Sequence, residues 1–176
     1  MSLKQYLKRG IKYIINGQPV LHTTANIVTS SWNDLLKDKR ILITGGSKGI
    51  GFSMAKKFVS EGAKVMITGR NEDSLKTVAD ELGCMYWCMD VSNTDKVCQQ
   101  FKNVDEQIGG FNCLINNAGI SLHEKSFFDV TVNQFDSQFS TNLKGGYFLT
   151  QCFTDICKGG EITAKLSLSL LNEVFL

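Results

Sequence analysis

From Leu35 onward the chain switches repeatedly between two hydrophobic periods. Short apolar runs, rich in β-branched and aromatic residues, predict strands at Arg40–Thr44 (RILIT), Ala63–Thr68 (AKVMIT), Cys84–Met89 (CMYWCM) and Phe111–Asn116 (FNCLIN). Between them, apolar residues recur at helical spacing. Ile50, Met54, Ala55, Phe58 and Val59 predict a helix over Gly49–Ser60, with Gly62 as its stop. Asn71 offers a cap, with Glu72 and Asp73 in the first turn of a helix running to Gly83. Ser92 or Asn93 caps a third helix through about Ile108, which Gly109-Gly110 breaks. Phe135, Phe139, Leu143, Leu149, Phe153 and Ile156 predict one long helix over Val132–Cys157, with Phe135, Phe139 and Phe153 in the core. Parallel strands need crossovers, and helices supply them. The alternation therefore predicts an α/β fold built on a doubly wound parallel sheet, Rossmann-like in plan.

The chain has 176 residues, 43% hydrophobic and 20% charged, which suits one globular domain with a real core. A net charge of +2 does not point to nucleic acid, and no apolar run approaches a membrane span. Six cysteines without a CxxC pair are expected to be reduced, buried thiols of a cytoplasmic protein, with no metal site. Residues 1–34 read as an N-terminal extension. Its first 33 residues carry Lys4, Lys8, Arg9 and Lys12 but no acid. Leu3, Leu7, Ile11, Ile14 and Ile15 follow a helical spacing, while Asn16-Gly17 fits a hairpin turn, and both readings stay open. A transit peptide or a membrane-touching arm has this composition too; a surface extension is the reading adopted.

Candidate chemistry begins at Thr44–Gly51, TGGSKGIG, between the first strand and the first helix. A helix N-terminus presents unpaired N–H groups and the positive end of the helix dipole, so an anion settles there. Gly45, Gly49 and Gly51 are spaced to let a diphosphate approach the backbone. The motif resembles the TGxxxGxG of the short-chain dehydrogenase/reductase family. Asp90-Val91 after the third strand, Asn116-Asn117-Ala118-Gly119 (NNAG) after the fourth, and Asn142 within FSTNLKGGYF continue the resemblance in order, over Leu35 to Gly160. The resemblance implies a dinucleotide held by Gly45, Ser47, Lys48, Gly49, Ile50, Gly51, Arg70, Asp90, Val91, Asn116, Ala118 and Gly119, with Asn142 as the active-site asparagine. Read without it, Asp90 is also a helix cap, and Asn116-Asn117 also closes a turn. Asn142 inside a helix is locally unfavourable, which calls for a partner such as a backbone carbonyl. His123 reads as plain loop near a cleft. The second strand ends in Thr68-Gly69-Arg70 with no carboxylate to accept from a ribose 2′-OH, and Lys48 lies in the glycine loop. Two cations suit the extra phosphate of NADP, so NADP (NADPH) is favoured over NAD.

Members of the family move hydride between the nicotinamide and a small-molecule carbonyl or alcohol, using a Tyr-x-x-x-Lys pair. Here Tyr6, Tyr13, Tyr86 and Tyr147 are followed four residues on by Gly10, Gly17, Asp90 and Gln151. Tyr147 reads as a packing residue. Loss of a general acid costs about 10²–10⁴ in rate. The reading is therefore an NADP-dependent short-chain oxidoreductase by family, with this chain inactive alone. The alternatives are a non-catalytic NADP-binding or interaction module, or a fragment without function. Residues 35–160 form the NAD(P)-binding domain and 161–176 an atypical tail, in which Ile162 offers a strand start and Ser167 or Ser169 imitates the family's serine. The sheet is expected to be incomplete after the fourth or fifth strand, leaving an edge and an apolar face uncovered. Family members commonly form homo-oligomers through the helix that here spans 132–157 and a later one. Resemblance stops abruptly after Gly160, which predicts a truncation or a shifted frame. Reading the encoding nucleotides past that point in the other two frames is expected to reveal Tyr-x-x-x-Lys; its absence from both removes the frame shift.

Overall fold

The computed structural model describes Lys4, residues 35–121 and 127–156, and the backbone of 163–166. His123, Cys157, Ile162, Ser167, Ser169 and the N-terminal extension other than Lys4 lie outside the described residues. Five parallel strands form one sheet: β1 (Arg40–Thr44), β2 (Lys64–Gly69), β3 (Met85–Cys88), β4 (Cys113–Asn116) and β5 (Thr163–Leu166). Their order is β3-β2-β1-β4-β5, so the chain winds outward from β1 in one direction and then in the other from β4. The expected doubly wound sheet is present. Its fifth strand pairs with β4, and the tail supplies it.

Strand residues alternate between two apolar faces. Ile41, Ile43, Val65 and Ile67 point to one side, where α1 (Gly49–Ser60) contributes Ala55 and α2 (Glu72–Leu82) contributes Leu75 and Ala79. Leu42, Met66 and Leu114 point to the other, against Val97, Phe101, Val104 and Ile108 of α3 (Thr94–Ile108) and Leu149 and Phe153 of α5 (Gly146–Ile156). Burial on both faces explains why these strands are near-continuous apolar runs. Asn71 accepts from the Ser74 N–H at 2.8 Å and caps α2 as expected; of the two candidates for α3, Asn93 is the cap. Gly83 ends α2 at φ 65°, a conformation open chiefly to glycine.

Three expectations are corrected. The single helix over Val132–Cys157 is a helical run of three parts: α4 (Val132–Phe139), a π turn at Ser140–Gly145, and α5. Of the three aromatics assigned to its core only Phe153 is buried. Phe135 and Phe139 are half-exposed and stack on each other at 4.2 Å, because α4 buries no residue; Tyr147, at the start of α5, is more exposed still. The cysteines are not all free thiols: Cys98 of α3 and Cys152 of α5 form a disulfide, their Cα atoms 5.8 Å apart. Spacing along the chain cannot reveal a pair separated by 54 positions that meets only when two helices pack. No helix among the described residues is long and apolar enough to cross a membrane.

The turn from α3 into β4 rests on one buried carboxylate. Asp105 is 8% exposed, its Oδ1 accepts the Phe111 N–H at 2.5 Å, and its carbonyl accepts the Gly110 N–H at 2.8 Å. Asp105→Ala is expected to lower stability by about 1–3 kcal/mol, because a buried N–H loses its acceptor. Asp105→Asn, which keeps an acceptor oxygen, is expected to cost less. Urea denaturation followed by circular dichroism distinguishes them.

Candidate functional site

The carboxyl ends of β1 and β4 open side by side where the winding reverses, which is where open α/β sheets bind ligands. Thr44 ends β1 and is 1% exposed. Its Oγ1 accepts the N–H groups of Asn117 and Ala118, each at 2.9 Å, and donates to the Ile115 carbonyl at 3.3 Å. Asn117 returns the contact: its Nδ2 donates to the carbonyls of Thr44 at 3.0 Å and Gly45 at 3.1 Å. The glycine loop and the NNAG segment are thus one hydrogen-bonded unit. The Gly46 N–H donates to the Thr68 carbonyl at 3.0 Å and ties the same loop to β2.

The glycines divide by what a Cβ would meet. At Gly51 it would lie 2.2 Å from the Gly45 carbonyl oxygen and 2.6 Å from Asn117 Nδ2, so this glycine lets α1 press against the loop. At Gly45 it would touch Ala118 Cα at 3.0 Å, and at Gly46 it would meet Ile67 at 2.6 Å. Among the four glycines of this loop, Gly49 faces open space, with nothing within 4 Å and φ at 58°. Gly45 and Gly51 thus make close contacts within the site, while Gly49 is left open. The N-cap of α1 is Lys48, in extended conformation, and its side chain caps nothing. No acid lies in the first turn of this 12-residue helix. Its N-terminal donors and dipole therefore meet neither a capping side chain nor a local negative charge.

Other expected residues surround this turn. Ser47 Oγ lies 3.7 Å from the Cβ position of Gly69, so the glycine loop meets the exit of β2. Lys48 and Arg70, the next residues on each side of that meeting, are both exposed, as is Ile50. Asp90 Oδ1 accepts the N–H and hydroxyl of Ser92 at 2.9 and 2.7 Å, shaping the turn before the Asn93 cap. Val91 is buried, and its carbonyl oxygen would lie 2.6 Å from a Cβ on Gly145, so the π turn packs directly on the exit of β3. Gly119 is exposed.

A small cavity of about 10 Å³ is lined by Thr44, Val91, Asn116, Ala118, Thr141, Asn142 and Gly146. Asn116 is 8% exposed; its Nδ2 donates to Thr150 Oγ1 at 2.8 Å, and its Oδ1 has no hydrogen-bond partner among the described residues. Asn142 has the backbone partner that its helical position called for. Its Oδ1 accepts the Ile120 N–H at 2.8 Å and its Nδ2 donates to the Ile120 carbonyl at 2.9 Å. The π turn presents Asn142 and Gly145 to the two loops at once, and such turns recur at functional sites. Within the two loop motifs the sequence assigns no role to Thr44 or Gly46 and only a turn to Asn117, and it does not single out Gly145 or Thr150. For Gly145 the available signal was Gly145-Gly146 inside a helical pattern, which marks a close approach.

A sequence profile described as short chain dehydrogenase matches residues 39–167. The chain belongs to the short-chain dehydrogenase family. Among its relatives, an NADP-dependent (R)-specific alcohol dehydrogenase of Lentilactobacillus kefiri is 38% identical over 122 residues, covering 67% of this chain and 48% of the relative. Short-chain dehydrogenase/reductase 3 of Bos taurus is 35% identical over 124 residues, covering 67% and 41%. A short-chain type dehydrogenase/reductase from Mycobacterium ulcerans superposes with a TM-score of 0.64 at 26% identity, over 68% of this chain and 46% of that one. The chain spans about half the length of the curated relatives it matches.

Membership of the short-chain dehydrogenase family makes the Thr44 hydroxyl the test of the site's architecture. Thr44→Val keeps the side chain's shape but strips an acceptor from the Asn117 and Ala118 N–H groups. A loss on the order of 2–4 kcal/mol is expected, with Thr44→Ser close to wild type. Chemical denaturation of the three proteins checks this.

Proposed function

We propose that this chain binds NADPH at the β1–α1 turn and is the cofactor-holding part of a short-chain oxidoreductase that acts on a small-molecule carbonyl or alcohol. The observation that carries this reading is the open cradle at Gly49, ahead of a helix N-terminus that no side chain caps. Those donors suit a diphosphate. Ser47, Lys48, Gly49 and Ile50 would hold it, while Asp90 and Val91 would border the adenine. Asn116, Ala118 and Gly119 would line the path along β4. Lys48 and Arg70 would receive the 2′-phosphate, since β2 ends without the carboxylate that would accept from a free ribose 2′-OH. The name of the Lentilactobacillus relative supports the same choice of cofactor.

When bound, the nicotinamide supplies or accepts a hydride. The chain's own part is to orient and exclude. Ile120 fixes the Asn142 amide at the small cavity, where we assign it the role of the family's active-site asparagine. Asn116, held by Thr150, lines the same space, and its Oδ1 has no partner among the described residues. None of the four tyrosines has a lysine four residues on, so this chain by itself is expected to bind NADPH without turning it over.

One observation favours a second role, as an interaction module. Phe139, Leu143 and Tyr147 are exposed along one side of the α4–α5 run and line, with Asp136, Ser140 and Lys144, a groove of about 540 Å³. An apolar strip of this kind suits a homo-oligomer through this helix.

Titration of NADPH fluorescence at fixed salt tests the cofactor reading. NADPH is expected to bind at least tenfold more tightly than NADH, with the preference lost in Arg70→Glu. Gly49→Val, which fills the cradle, is expected to abolish binding. Tighter binding of NADH would overturn the choice of cofactor, and undiminished binding by Gly49→Val would overturn the site.

A further inference from the structure

The Cys98–Cys152 disulfide takes no part in the cofactor site, yet it sits where the helix serving that site is anchored. In the run Val132–Ile156, α4 buries no residue, the π turn buries Gly145, and α5 buries Leu149 and Phe153. Cys152 lies on α5 between those two anchors. Cys98 follows the buried Val97 on α3, the helix whose Phe101 ring meets Phe153 edge-on at 6.3 Å. The bond therefore ties the one well-buried part of the site helix to α3, its neighbour on the same face of the sheet. The same helix carries Asn142, Gly145 and Thr150, which hold Ile120, Val91 and Asn116.

We propose that Cys98 and Cys152 form a reversible thiol–disulfide pair that sets how firmly the site helix is fixed to α3 beside it. The oxidant is a low-molecular-weight disulfide. The thiolate of one cysteine attacks it, forming a mixed disulfide and releasing one small thiol. The second cysteine, as thiolate, then attacks the protein sulfur of that mixed disulfide, forming the Cys98–Cys152 bond and releasing the second small thiol. Two protein thiols are oxidised, one small disulfide is reduced to two thiols, and the two protons lost by the cysteines end on the released thiols. Both cysteines are half-buried, so a small disulfide has access. Among the remaining described cysteines, burial pushes the Cys84 and Cys113 thiols up, with Lys39 opposing the shift at Cys113, and a thiol kept protonated exchanges slowly. Cys88 is exposed, and its thiol donates to the Arg70 carbonyl at 3.7 Å, away from this pair. The bond spans 54 positions, so it also restricts the unfolded chain.

The test uses the full chain equilibrated with glutathione disulfide and, in parallel, with dithiothreitol. The oxidised sample is expected to show two fewer titratable thiols, a linked Cys98–Cys152 peptide on digestion, and a Tm higher by about 5–15 °C. Hydrogen exchange in Gly146–Ile156 is expected to accelerate on reduction more than in β1. Cys98→Ser/Cys152→Ser is expected to lose the response to reductant, and Cys88→Ser to keep it. Equal Tm in the two samples, absence of the linked peptide, or a response that survives in the double variant would overturn the proposal. If the double variant does not fold, the paired wild-type samples decide. NADPH enters none of these readouts, so their failure is separate from failure of the cofactor reading.

Discussion

The candidate site depends on a hydrogen-bonded clasp between two loops that leave neighbouring strands. Thr44, at the end of β1, gives its hydroxyl oxygen to two N–H groups of the NNAG segment, and Asn117 gives its amide to two carbonyls at the start of the glycine loop. Two side chains thus bond four backbone groups across the two loops. A buried polar group without a partner costs more than a made hydrogen bond contributes, so the clasp is held by what its loss would expose.

Once the clasp is made, the space around it is nearly used up. Gly51 allows no side chain because the Gly45 carbonyl and the Asn117 amide already lie within bonding contact of where one would begin. Gly46 rests against Ile67, and Gly145 of the π turn rests against the Val91 carbonyl. Of the loop's glycines, Gly49 looks outward. The crowding and the opening have one cause: α1 is drawn tight against two loops, and its first turn is left facing solvent on the remaining side. The site is thus shaped by packing among the chain's own glycines before any ligand is considered.

The helical run over Val132–Ile156 shows a different balance. Its first part contributes no buried residue, and its last part contributes Leu149 and Phe153. Between them the π turn reaches Ile120 through Asn142 and packs Gly145 against Val91. The apolar strip at Phe139, Leu143 and Tyr147 continues the hydrophobic period of the sequence but faces away from the sheet. Periodicity fixes that a helix has an apolar face; it does not say whether that face meets the sheet, a second molecule or water.

Four strands, three helices, their caps at Asn71 and Asn93, the parallel winding and the place of the glycine loop were legible in the residues, because each depends on a local period or on one side chain meeting a nearby amide. The resemblance located Asn116 and Asn142 but not their partners. Thr150, Ile120 and Val91 lie far along the chain from the residues they hold, and only packing brings them together. The same is true of Cys98 and Cys152, and of the division of labour among the glycines, whose role is set by what stands opposite each missing Cβ. Sequence alone determined which elements form and in what order, since hydrophobic period and capping act over a few residues. Tertiary structure decided which glycine stays open, which asparagine is clamped and which cysteines join, since those depend on distances between segments that no local pattern encodes.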